Sequence, residues 1–173
     1  MLKTLFGILL FTLALPGWAR GVYQPPQEFL AETFPQQLPK AKVIWLSGDV
    51  RKTATKILTH KPAGLRIRYW ANTKKSAWVL NEIGKEKPIT VGIVIKENKI
   101  IKLKVLVFRE SRGSEVRHNF FTQQFNNISL NKDNQLNRHV DGITGATLSV
   151  RALTRLSRLA LYLSGTIPKV TVK

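Results

Sequence analysis

The chain has 173 residues, enough for one domain with a hydrophobic core, and carries 28 basic against 10 acidic residues, a formal net charge of +18. Such an excess suits an anionic partner: nucleic acid, an anionic membrane or an acidic protein. There are no cysteines, which excludes disulfides and thiolate ligation of metal or haem, and the three histidines (His60, His118 and His139) lack metal-ligand spacing.

Residues 1–19 read as a secretory signal peptide. Lys3 supplies the positive start, residues 5–15 the apolar core, and Gly17-Trp18-Ala19 a small-x-small cleavage site. The apolar core is 11 residues, too short to span a bilayer. Cleavage near Ala19 predicts a periplasmic protein and makes nucleic acid a poor partner.

Residues 20–64 read as an N-terminal helical extension packed on the main domain. After Pro25-Pro26 a short helix is expected over 27–34, packing through Phe29, Leu30 and Phe34. A short strand follows over 43–46. Ser47-Gly48-Asp49 offers N-cap chemistry for a helix over 50–59, whose Val50, Ala54, Ile57 and Leu58 share one face.

From residue 65 onward, four strands are expected over 65–71, 76–83, 89–95 and 99–109. The turns between them are short, which argues for an antiparallel meander. In the last of the four, Lys102 and Lys104 alternate with Ile101, Leu103 and Val105, so that strand buries one face. A charged cluster at Arg109, Glu110, Arg112 and Glu115 breaks the pattern beside Gly113. Residues 116–125 read as a short helix bearing Phe120, Phe121 and Phe125, and 126–138 as an Asn-rich loop able to move.

The string Asp141-Gly142-Ile143-Thr144-Gly145-Ala146-Thr147-Leu148-Ser149 opens an amphipathic helix. Ser149, Ala152, Leu153, Leu156, Leu159, Ala160 and Leu163 form its apolar stripe, Arg151, Arg155 and Arg158 another face, and Gly165 its stop. A last strand is expected over 166–172. The order of elements gives an α+β fold: an antiparallel meander with helices packed on one face.

A Gly-Ala pair flanked by hydroxyls at a helix mouth suits phosphate, because the first helical amides lack intrahelical partners and sit at the positive end of the dipole. On these residues alone an ordinary helix start, with Thr144 as N-cap and Asp141 near the positive end, is the better account. The full string, however, resembles the flavinylation motif of the FMN-binding domain family, Asp-x-x-Ser/Thr-Gly-Ala-Thr-x-Ser/Thr. Asp141, Thr144, Gly145, Ala146, Thr147 and Ser149 match every fixed position. That family includes the C subunit of the sodium-translocating NADH:quinone reductase, the G subunit of the related Rnf complex, and small exported flavoproteins.

The resemblance implies an FMN-binding domain over 65–173, an α+β fold, and FMN carried covalently on Thr147 as a phosphoester placed there by a flavin transferase. It implies further that Gly145 and nearby amides hold the phosphate. For the flavin ring, Tyr69, Trp70, Trp78 and Phe121 are candidate walls, each also accounted for by core packing. The cluster Arg109, Glu110, Arg112 and Glu115 could polarise the flavin or form a solvated, mutually paired turn.

No nicotinamide-type Gly-x-Gly-x-x-Gly signature and no acid–base pair appears, and no catalytic or metal-binding residue is assigned. The leading expectation is an exported electron carrier docking with an acidic redox protein, such as a c-type cytochrome or a membrane quinone-linked reductase. A flavin-bearing accessory subunit of a membrane redox complex and a cofactor-free cationic binding module are the alternatives.

Overall fold

The structure, a computed structural model, describes residues 21–168; the expected signal peptide and most of the expected last strand lie outside them. Five strands form one antiparallel sheet in the order β1-β2-β3-β4-β5: β1 Lys42–Trp45, β2 Arg66–Ala71, β3 Ser76–Ile83, β4 Pro88–Lys96 and β5 Lys99–Phe108. Strand order equals chain order because each connection within the run β2 to β5 is a short turn, as the α+β meander reading required. The helices are α1 Pro26–Thr33, α2 Gly48–Leu58, α3 Asn119–Thr122 and α4 Thr147–Thr166. Although β1 and α2 precede residue 65, β1 pairs with β2, and Leu46, Ala54, Ile57 and Leu58 sit in the main core.

That main core lies between the sheet and the two long helices, α2 and α4. Trp78, Leu80, Ile89, Val91, Ile93 and Ile95 meet Leu153, Leu156, Ala160 and Leu163 there. The whole apolar stripe expected on α4 is buried. The other face carries a smaller cluster, where Phe29, Leu30 and Phe34 of α1 meet Ala77, Val94, Leu106 and Val107. Gly92 permits this second layer: a Cβ there would come within 2.6–2.8 Å of three Phe29 ring atoms. Being covered on both sides, β4 is apolar almost throughout, which explains its run Ile-Thr-Val-Gly-Ile-Val-Ile.

Simple alternation fails in β5. Ile95 pairs with Ile100 and Val94 with Lys102, so Ile101 is an extra residue in the strand. It is 41% exposed, not buried beside Leu103 and Val105. A second shift sets Leu106 between the paired Val105 and Val107, and both Leu106 and Val107 face α1.

Three other expectations are corrected. The helix over 116–125 is broken into a 3-10 turn at Ser114–Arg117, the single turn α3, and a second 3-10 turn at Gln123–Phe125. The loop over 126–138 is tied down rather than free. Asn131 accepts from the amides of Asp133 and Gln135, Arg138 donates to the carbonyls of Gln124 and Asn126, and Arg158 Nε donates to the Asn134 carbonyl at 2.7 Å. Gly165 does not stop α4, which runs to Thr166; exposed glycine at a helix end costs about 1 kcal/mol and does not forbid the helix.

Candidate functional site

Three segments converge at one end of the sheet. Ser164 Oγ lies 3.3 Å from Ser76 Oγ, and Arg155 lies 3.7 Å from Glu82, so α4 runs antiparallel to β3. The start of α4 therefore projects past the end of β3, toward the 84–87 turn and the segment leaving β5. Gly113, on that segment, closes the contact. A Cβ on it would lie 2.8 Å from Ser149 Oγ and 3.4 Å from Ala146, and its φ of 84° is one that L side chains rarely adopt.

The motif itself is a tight turn followed by a bare helix start. Ala146 N–H donates to the Ile143 carbonyl at 3.0 Å, and Gly145, with φ 82°, takes the position where such a turn requires a positive φ. Ala146 and not Thr144 is the N-cap, and no side chain caps the helix. Val150 N–H, bonded to the Ala146 carbonyl, is the first amide in the helical ladder. The amides of Thr147, Leu148 and Ser149 thus have no intrahelical acceptor. No acidic residue lies in the first turn, so this 20-residue helix brings no countercharge of its own to its positive end. Thr147, the first helical residue, is exposed, while Ala146 and Ser149 are buried anchors on either side of it. The Cβ directions of Gly142 and Gly145 meet nothing within 4 Å, which leaves room at the mouth of the helix.

Residues 84–162 match the family model of the FMN-binding domain. This segment is an FMN-binding domain. No curated protein and no solved structure matches the chain. The FMN-binding domain as matched starts at the 84–87 turn and runs through β4, β5 and the motif into α4; β1 to β3 and α2 complete its sheet and core from outside the matched span. The residues fit the cofactor's phosphate: uncapped amides, a first helical turn with no acidic side chain, an exposed hydroxyl and open space.

The charged cluster does not act as one group. Glu110 Oε1 accepts from the backbone amides of Lys85, Glu86 and Lys87 at 2.5, 2.7 and 2.9 Å, locking the 84–87 turn. Burial opposes its ionisation, but those three N–H groups and the Lys85 ammonium outweigh it and hold the carboxyl below its ordinary value. Arg109 donates to the Pro88 carbonyl and Thr90 Oγ1, pinning the start of β4. Arg112 and Glu115 are exposed. Among the described residues, no ion pair joins any two of the four, so mutual pairing, one of the two alternatives, is absent.

Asp141 is exposed, with its amide bonded to Gln124 Oε1 at 2.7 Å and its carboxylate 3.8 Å from His139. The aromatic candidates are placed elsewhere. Trp78 and Phe121 are fully buried, Tyr69 stacks on Trp78 at 5.1 Å within the main core, and Trp70 packs on the α1 side of the sheet. Trp78 and Phe121 are therefore enclosed, and both belong with Ala146 of the motif to the main core cluster. Two apolar side chains outside the expected wall residues are exposed: Phe120, 64% exposed, on a segment tied to the motif at Gly113 and again at Gln124, and Leu148, 40% exposed beside Thr147. Phe120 had one visible signal: it falls off the spacing of Phe121 and Phe125, which share a helical face.

Proposed function

We propose that this protein is an exported electron-transfer flavoprotein that carries FMN covalently on Thr147. The observation that supports it most is Thr147 itself: an exposed hydroxyl on the first residue of an uncapped helix, inside an FMN-binding domain. Thr147 Oγ1 would form the new bond to phosphorus, taking the flavin mononucleotide from FAD, with AMP leaving and the hydroxyl proton passing to a base of the flavin transferase. A threonine hydroxyl needs such outside activation, because its own acidity is too low.

The amides of Thr147, Leu148 and Ser149, which lack intrahelical acceptors, would hold the phosphate oxygens. Gly113 and Ala146 keep the approach narrow on the buried side, and Gly145 keeps it open on the other. The flavin supplies the redox chemistry; the chain binds and orients it. A covalent link suits an exported protein, since a dissociated cofactor would be lost by dilution while a tethered ring stays at high effective concentration. Exposed Leu148, next to Thr147 in the chain, and exposed Phe120 would offer apolar surface to the ring. The excess of positive charge suits an acidic redox partner, with association that weakens as salt rises.

Intact-mass measurement tests this reading. Expression with a flavin transferase should add one FMN less one water to the wild-type chain. Thr147→Ala should abolish the addition and Thr147→Ser should keep it. A bare polypeptide mass in the presence of transferase and FAD would refute it.

A further inference from the structure

The sheet face opposite α2 and α4 is covered only in part. α1 lies on β3 and β4, and Phe29, Leu30 and Phe34 fill its cluster there. Toward β1 the cover stops among the described residues. Pairing sets Trp45 opposite Arg66 and Val43 opposite Arg68. Strand alternation puts Arg66 and Arg68 on the same side as Trp70, which packs in the α1 cluster, so all four residues share the α1 face. Trp45 is 62% exposed and Val43 40%. Both arginines are exposed, and neither makes an ion pair among the described residues.

Two like charges about 7 Å apart along one strand face repel each other. Here one of them, Arg66, is the cross-strand partner of Trp45, the most exposed of the described tryptophans, and the other is diagonal to it. Such a surface is satisfied by a ligand that brings negative charge and apolar area together. Guanidinium groups match carboxylates in a two-pronged geometry, and tryptophan and arginine are the side chains that most often anchor protein interfaces. A lipid surface fits less well. An arginine side chain is at least as long as an indole, so on a flat sheet the charges stand level with Trp45 and keep it from entering the acyl layer, where interfacial binding needs the apolar group foremost.

We propose that the face formed by Val43, Trp45, Arg66 and Arg68 docks an acidic protein surface. Carboxylates of that surface pair with the two guanidinium groups, and its apolar atoms cover Trp45. The face lies apart from the flavin motif, and the proposal does not depend on the Thr147 bond.

Binding of the purified chain to a random glutamate–tyrosine copolymer, followed by isothermal titration calorimetry at low and moderate salt, tests it. The variants are Trp45→Ala, the double variant Arg66→Gln/Arg68→Gln, and Lys96→Gln/Lys99→Gln as a control with the same loss of charge. Affinity should fall about tenfold in each of the first two and about twofold or less in the control. All of these positions are exposed, and an unchanged Tm for each variant separates lost docking from lost folding. Equal losses in the two double variants would overturn the proposal in favour of overall charge. Binding to phosphatidylglycerol vesicles that depends on Trp45, without copolymer binding, would overturn it in favour of a membrane. The same pattern in a Thr147→Ala background keeps this result separate from the fate of the flavin assignment.

Discussion

Glu110→Gln isolates what the charged segment after β5 does. The substitution keeps side-chain shape and one carbonyl oxygen but removes the charge that three backbone amides share, at 2.5–2.9 Å. Hydrogen bonds to a charged group contribute about 1.5–3 kcal/mol each when shielded. This turn is open to water, which can replace much of each bond, so about 0.5 kcal/mol per amide and a total near 1–2 kcal/mol is expected at pH 7. The folded carboxyl is held below its unfolded value of about 4.3. Its contribution is therefore complete above that value and disappears as pH falls through the lower folded pKa. Urea unfolding of both proteins between pH 7 and pH 3 measures this. The wild type should have the higher midpoint at pH 7, and the two curves should converge at the acid end. Equal midpoints at pH 7, or a gap that persists at pH 3, would refute the turn-locking role. A shifted flavin potential with no loss of stability would restore the polarising role.

Other expectations follow from single contacts. Gly92→Ala should cost about 1–3 kcal/mol, because the new methyl meets the fully buried Phe29 ring; Phe29→Leu added to it should recover part of the loss in urea midpoint. Gly113→Ala should cost about 1–3 kcal/mol through its positive φ and its contact with Ser149, and mass spectrometry should find less flavin on the folded fraction. His60 Nδ1 lies 3.0 Å from the Lys61 carbonyl oxygen and Nε2 2.8 Å from Glu82 Oε1; protonated, the ring donates to both, and these two acceptors raise its pKa, the carbonyl first. The wild type should therefore exceed His60→Gln in Tm below about pH 6.5, and the advantage should fade as pH rises through the folded pKa. A difference that does not vary between pH 5 and pH 9 would show that this pair does not titrate with folding.

Legibility of the site was uneven for a physical reason. The motif could be recognised because its parts are neighbours in the chain: a turn that needs Gly145, a small Ala146 and a hydroxyl at Thr147 all act within one helical turn. Glu110 could not be assigned, because its partners lie 23–25 residues away and are main-chain amides with no side-chain signature. Trp78 and Phe121 offered aromatic rings of the right kind, and only packing decided that both are enclosed.

Local chemistry in the sequence determined the meander, the α4 stripe and the turn that opens α4, while the absence of a side-chain cap there appeared only in the structure. Alternation, turn residues and helical spacing act over a few residues, where the covalent chain already holds the partners together. The tertiary structure decided the bulges that turn Ile101 outward, the seating of Gly113 on the motif and the β1–β2 face that exposes Trp45 beside Arg66. Those features depend on which distant segments cover which surface, a choice made by the burial of apolar area across the whole molecule.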